Sequence, residues 1–299
     1  MSTAAHDLET LRDWLRYAVS RFGEAGLAFG HGTTNAYDEA VYLLLHALHL
    51  PLDRLDPFLD ARLTQPERTQ IAQLLERRID RRVPAAYLTH EAWLGDFRFF
   101  VDERVLIPRS FIAELLPGGI APYVGAAEAV SNALDLGTGS GCLAILLAHA
   151  YAQVDVDAVD ISTDALTVAQ RNVADYGLAD RINLIRSDLF ANLPDKSYDL
   201  IISNPPYVTT MAMENLPPEY RHEPALALAG GDDGLDAVRT MLEEAPRFLK
   251  LNGTLVVEVG SNRPAVELAY PRLPFVWLET ATSADSVFLL KREDLIAGR

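Results

Sequence analysis

Residues 134–148 read LDLGTGSGCLAILLA. A short apolar run, NALDLG (132–137), ends in glycines at 137, 139 and 141, and an unbroken run of helix formers follows. The order is strand, glycine loop, helix. Glycines let the backbone turn sharply there and come close to a ligand. The spacing is G-x-G-x-G, with Cys142 after it. The dinucleotide fingerprint is G-x-G-x-x-G, so this loop departs from it.

Outward from the loop, strands and helices alternate. VDVDAVDI (154–161), INLIRS (182–187), YDLIIS (198–203) and TLVVEVG (254–260) read as short strands. Helical stretches lie between them, such as ALTVAQRNVADYG (165–177), which Gly177 stops. This alternation predicts an α/β fold with a mostly parallel sheet covered on both faces. FVWLE (275–279) and SVFLLK (286–291) leave no room for a helix between them. They are expected to form an antiparallel hairpin at the sheet edge.

Residues 1–85 read as a small helical domain. Leu8, Leu11, Leu15, Ala18 and Phe22 recur at helical spacing, and AYDEAVYLLLHALHL (36–50) runs until Pro51. A third helix starts at Thr64, a cap residue, and runs to Pro84. This part carries no catalytic signature and is expected to recognise the substrate. Residues 86–107 are aromatic and β-branched around Gly-Asp and read as a hairpin linker. The catalytic domain is expected over 108–299.

The chain of 299 residues has 42 acids against 26 bases, a net charge of −16. That balance opposes direct binding to phosphate backbones and favours a basic protein partner. The basic run ERRIDRRVP (76–84) reads as a solvated helix end. One cysteine excludes an intrachain disulfide and a cysteine-built metal site. No apolar run is long enough to cross a bilayer and no signal-peptide pattern opens the chain, so a cytoplasmic protein without a membrane partner is expected.

Three acids stand at ligand-facing positions. Asp135 precedes the loop. Asp160 ends the next strand, where an acid can accept both ribose hydroxyls of a nucleoside. Asp188, in SDLF (187–190), ends the third, in reach of an adenine amino group. Singly each reads as a helix cap or surface charge; together they line one crevice. An acidic rim suits a cationic ligand without phosphates, and S-adenosylmethionine is such a ligand.

The fourth strand ends in SNPPYV (203–208). Two prolines remove two donors and stiffen the turn. The Asn204 side-chain oxygen and the Pro205 carbonyl are then fixed acceptors. An NH2 group that donates to both turns its nitrogen lone pair towards the methyl donor. Pro206 cannot compete as a donor, and Tyr207 offers a flat face to a planar amide or base.

DLGTGSGCLAI, VDIS, SDLF and SNPPYV together resemble the class I methyltransferases of the HemK/PrmC/PrmB group, which methylate protein glutamines. VLIPRS (105–110) and HEPALALAGGDDGLDAVR (222–239) match the group too, and the likeness covers nearly the whole chain. It implies a Rossmann-like seven-stranded sheet and transfer of a methyl from S-adenosylmethionine to a glutamine side-chain amide. Segments 20–40 and 92–116 look most like the branch acting on the third protein of the large ribosomal subunit. The release-factor branch is the alternative; it usually has an aromatic where this chain has Leu189.

By that resemblance, Asp135, Gly137, Thr138, Gly139, Ser140, Gly141 and Asp160 hold the cofactor's methionine and ribose. Asp188 and Leu189 border its adenine, and Asn204 borders the cofactor and the glutamine. Asn204, Pro205 and Tyr207 are the catalytic candidates; Pro206 and Arg109 join them in holding substrate. Arg109 reads equally well as a structural hydrogen-bond donor. No general base is required, and His222 reads as structural. Two other classes remain open: a nucleic-acid adenine methyltransferase, which shares the NPPY corner but should carry a basic reading surface, and a nicotinamide oxidoreductase, which the loop spacing disfavours.

Overall fold

In a computed structural model, residues 7–125 and 130–298 are described. The chain divides into two compact units. The first comprises residues 1–92 and 216–222; the second comprises 93–215 and 223–299.

The first unit is built on α1 (Leu11–Glu24), α2 (Ala36–Ala47), α3 (Gln65–Asp80) and the short α4 (Ala85–Thr89). Its helices start where side chains satisfy their free N–H groups. Thr10 with Asp13, and Thr64 with Glu67, form capping boxes, and Asn35 caps α2. The predicted stripe of Leu8, Leu11, Leu15, Ala18 and Phe22 is buried, as are Leu43 and Leu44 of α2 and Ile71 of α3. The basic run at 76–84 is in part the solvated helix end expected, with Arg77 and Arg81 exposed, but Arg78 departs from it. Arg78 is buried, donating to Glu39 (2.6 Å), to Glu219 (3.3 Å) and to the Ala28 carbonyl (2.9 Å). Burial opposes ionisation of Glu219, but the Ala28 amide and Arg78 outweigh it and hold its pKa below the usual range. His222 contacts the Arg81 carbonyl at 2.8 Å, a structural role.

The segment read as a hairpin over 86–107 differs at both ends. It opens in α4, because Pro84 sets up a helical turn that runs to His90 in a left-handed conformation. Only β1 (Glu91–Leu94) and β2 (Phe97–Phe100) pair, about a turn at Gly95. Residues 101–107 are irregular.

In the second unit, α5 (Ile112–Leu115) and α6 (Ala121–Val124) precede the sheet. Then follow β3 (Asn132–Leu136), α7 (Cys142–Ala150), β4 (Asp155–Asp160), α8 (Thr163–Asp175), β5 (Ile182–Arg186), β6 (Tyr198–Ser203), α9 (Thr210–Glu214), α10 (Asp236–Phe248), β7 (Leu249–Glu258), α11 (Arg263–Ala269), β8 (Val276–Leu278), β9 (Val287–Lys291) and α12 (Arg292–Ala297). The seven strands lie in the order β5-β4-β3-β6-β7-β9-β8. β9 runs antiparallel to β7 and β8, and the other pairs are parallel. This is the expected mostly parallel seven-stranded sheet with its antiparallel edge hairpin. β3 and β6 are almost wholly buried instead of alternating, as central strands covered on both faces must be. The core beneath them gathers Leu134, Leu136, Ile201, Val257, Phe288, Val238 and Met241. The chain starts at β3, moves outward to β5, then returns to β6 on the other side of β3. Such a switch point opens a crevice at the carboxyl ends of the two strands. Register pairs Leu136 with Ser203, and the Ser203 hydroxyl donates to the Leu136 carbonyl at 2.7 Å. Gly137 and Asn204 therefore leave the sheet side by side.

Candidate active site

The crevice is a cleft of ≈ 350 Å³ within the second unit. Of the residues singled out from sequence, Gly137, Gly139, Asp160, Asp188, Leu189, Asn204 and Pro206 line it. The rest stand behind that wall and hold it.

The glycine loop is fastened at several points. The amides of Gly137 and Thr138 both donate to the Val159 carbonyl at 2.8 Å, and Gly141 N–H donates to the Thr138 carbonyl. Gly139 N–H donates to Asp160 Oδ2 at 2.9 Å, and Ser162 N–H to its Oδ1 at 2.9 Å. Gly137, Gly139 and Gly141 all have positive φ, which explains the alternate glycines. At Gly141 a Cβ would also meet Ala169 of α8 at 3.2 Å. Burial raises the Asp160 pKa above its ordinary value despite those two amide bonds.

Beneath the loop lies a small buried polar cluster. Thr138 Oγ1 donates to Asp135 Oδ2 at 2.6 Å, while Asp135 Oδ1 and Ser140 Oγ have no protein partner. Burial pushes the Asp135 carboxyl up to about 7 and the Cys142 thiol up to about 12. Asp135, Thr138, Ser140 and Gly141 thus support the loop rather than line the cleft. At the next strand end, Leu189 adopts a left-handed φ of 44° beside the exposed Asp188. A non-glycine residue in that region marks a constrained position.

The NPPY corner presents Asn204 and Pro206 to the cleft and buries Pro205. Asn204 Nδ2 donates to the Arg109 carbonyl at 3.1 Å. That bond fixes the orientation of the amide and leaves Oδ1 as its acceptor face. Tyr207 does not line the cleft. Its carbonyl accepts Asn262 Nδ2 at 2.7 Å, and its ring packs on Gly260, where a Cβ would come within 2.7 Å. Arg109 also departs from the expected substrate contact. Its guanidinium forks onto Glu223 at 2.5 and 2.6 Å, and it also donates to the Ile107 carbonyl. The structural alternative describes this guanidinium, and only its backbone carbonyl reaches the site.

The cleft has further walls that sequence reading did not assign. Arg104, Val105 and Leu106 form one; Pro224, Leu226 and Gly230 form another; Asp236 and Thr240 of α10 close it. The strand-like bridge Val208–Ala229 and the bond from Gly230 N–H to the Val208 carbonyl lay the second wall against the NPPY corner. Asn172 was missed as well. From α8 it donates to the Ser140 carbonyl (2.8 Å) and exchanges bonds with both backbone groups of Phe100. Glu258, a charge inside the apolar VVEVG, was the one visible signal. It accepts from Ser110 and Phe111, and burial pushes its carboxyl up to about 7.

Comparison with known proteins matches the Methyltransferase small domain to residues 125–216 and the PrmC N-terminal domain to residues 13–89. A ribosomal protein uL3 glutamine methyltransferase of Neisseria meningitidis is 59% identical over 98% of this chain and 96% of its own. One of Bordetella pertussis is 58% identical over 97% of each chain, and one of Bradyrhizobium diazoefficiens 49% identical over 97% and 92%. Among solved structures, the hMettl16 catalytic domain in complex with a MAT2A 3′UTR hairpin aligns with a TM-score of 0.52 at 16% identity. It covers 76% of this chain and 81% of that one, a likeness of fold.

Proposed function

The chain belongs to the family of ribosomal protein uL3 glutamine methyltransferases, and we propose that it methylates the side-chain amide nitrogen of a glutamine in uL3. S-adenosylmethionine supplies the methyl group on a cationic sulfonium. The cleft suits that cation: it is lined by Asp160, Asp188 and Asp236 against a single arginine, Arg104, which Asp102 neutralises. Gly137, Gly139 and Asp160 would hold the methionine and ribose ends, backed by Asp135, Thr138, Ser140 and Gly141. Asp188 and Leu189 would border the adenine.

The observation that carries the reading is the Asn204 amide, tied through Nδ2 to Arg109 with Oδ1 left over. An amide nitrogen is a weak nucleophile because its lone pair is delocalised into the carbonyl. Asn204 Oδ1 and the Pro205 carbonyl accept its two hydrogens, favour a pyramidal nitrogen and stabilise the positive charge that grows there. Pro206 offers no competing donor, and Tyr207 stiffens the corner. The methylated nitrogen then loses its proton to solvent. The helical unit supplies docking surface for the protein substrate, and uL3 as substrate puts the reaction in the cytoplasm. No helix among the described residues is long and apolar enough to cross a membrane.

The test is incubation with methyl-labelled S-adenosylmethionine and either isolated uL3 or a release factor, with mass spectrometry to locate the label. A methyl on a uL3 glutamine, formed much more slowly by Asn204→Ala, is expected. Label on the release factor alone, or on neither protein, would overturn the substrate assignment.

A further inference from the structure

Two buried carboxylates from distant parts of the second unit close on one short segment, residues 107–111. Glu223 Oε1 accepts the Ile107 N–H at 3.0 Å, and both its oxygens accept the Arg109 fork. Its side chain is wholly buried. Glu258 Oε2 accepts the Ser110 hydroxyl at 2.7 Å and the Phe111 N–H at 2.9 Å. Between these two clamps lies the Arg109 carbonyl, the partner of Asn204 Nδ2.

A primary amide has two nearly isosteric orientations that differ by exchanging O and NH2. With the oxygen outward, Asn204 accepts from a substrate NH2. With the NH2 outward, donor faces donor and the catalytic hydrogen bond is lost. Arg109 backbone oxygen separates these states only while it stays at its present position. Loop segments do not hold such positions by themselves, and buried ion pairs add little net stability.

We propose that Glu223 and Glu258 are positioning residues for methyl transfer, which fix the Arg109 carbonyl and so keep Asn204 Oδ1 facing the substrate amide. The inference rests on the glutamine-amide reading above. Neither acid touches the reacting atoms; each acts through Asn204. Their effect belongs to the transition state, where the acceptor matters most, and not to cofactor binding.

The experiment compares Glu223→Gln, Ser110→Ala, Asn204→Ala and the double variants E223Q/N204A and S110A/N204A. Turnover on uL3 is measured with cofactor affinity by calorimetry. Glu223→Gln should lower kcat by about ten- to a hundredfold and Ser110→Ala by a smaller factor, each with cofactor Kd within about threefold. In the Asn204→Ala background both effects should shrink below about twofold, because the residue they act through is gone. Equal losses in both backgrounds, or cofactor affinity falling in step with kcat, would overturn the inference alone. Full turnover by Asn204→Ala would overturn it together with its premise. Should Glu223→Gln fail to fold, Ser110→Ala decides by the same comparison.

Discussion

Gly230 sets a close steric constraint on the backbone of the NPPY corner. It has no positive φ, so its need for glycine is one of space alone. A Cβ at this position would lie 2.8 Å from the Pro206 carbonyl oxygen, 2.8 Å from Tyr207 Cα and 2.9 Å from Gly234 Cα. All three are backbone atoms, so no side chain can swing away. To restore 3.4 Å, an ordinary contact, the corner must retreat by about 0.6 Å (3.4 − 2.8). Displacements of about 1 Å at a reacting centre cost on the order of a hundredfold in rate. Gly230→Ala should therefore lower kcat on uL3 by roughly tenfold or more. Overpacking of this kind destabilises by about 1–3 kcal/mol, visible as a melting temperature lowered by several degrees. Gly137→Ala is the contrast. A Cβ there meets nothing within 4 Å, but φ is +73°, so the strain falls on the cofactor loop. Its loss should appear mainly in cofactor affinity. Turnover of Gly230→Ala within twofold of the parent, on folded protein, would refute the steric argument.

Asn172→Ala removes the bonds to both backbone groups of Phe100 and strands the buried Ser140 carbonyl; a buried unpaired group costs about 1–3 kcal/mol, and calorimetry should show cofactor affinity reduced about tenfold. Arg78→Ala leaves Glu39 and Glu219 buried without their shared cation and should destabilise the helical unit by about 3–5 kcal/mol; an unchanged rate of limited proteolysis within residues 1–92 would contradict this. Burial raises Asp135 and Glu258 to about 7 from 3.8 and 4.5. Below the lower values both folded and unfolded chains hold the proton; between them and 7 only the unfolded chain releases it. Their contribution to stability is therefore lost as pH rises towards 7 and is flat above. Melting of the ligand-free protein should show that decline, reduced in Glu258→Gln; an identical slope in that variant would count against it. A bound sulfonium favours the ionised forms of Asp135 and Asp160, so S-adenosylmethionine affinity should rise from pH 5 to 7 more steeply than that of the uncharged S-adenosylhomocysteine.

The sheet was legible because its signals are local. NALDLG and YDLIIS end as strands where the sequence changes from apolar residues to glycine or to Asn-Pro-Pro. The helix starts at Thr10 and Thr64 are written in residues three positions apart. The site was half legible for the same reason. Gly137, Asp160, Asp188 and Asn204 each stand at a strand end, and topology delivers strand ends to one place. What escaped depends on partners far apart in sequence. Glu223 lies 114 positions from Arg109, and Glu258 lies 148 from Ser110. Arg78 read as a surface charge because Glu219, 141 residues on, is invisible from its neighbourhood. The hairpin reading at the start of 86–107 was overruled by Pro84, whose fixed φ starts the α4 turn.

The reaction class explains why this site is rich in positioning groups and poor in bases. Methyl transfer carries positive charge from a sulfonium to a nitrogen, so the cleft holds one cation before and after. The acids that line it, Asp160, Asp188 and Asp236, attract that charge in the ground state and in the transition state alike. Uniform attraction lowers Kd or KM without raising kcat. Acceleration must come from groups that sense where the charge moves, and those are the acceptors touching the amide hydrogens. Two such oxygens, on a side chain and on a backbone carbonyl, do this work only at fixed distance and with the right polarity outward. On the proposed reading, both demands are met around Asn204. Two prolines stiffen the corner, Gly230 and Gly260 let backbone and ring close in on it, Asn262 ties the Tyr207 carbonyl, and Arg109 orients the amide. A strong base placed there would be of no use to a nitrogen that sheds its proton only after the methyl has arrived.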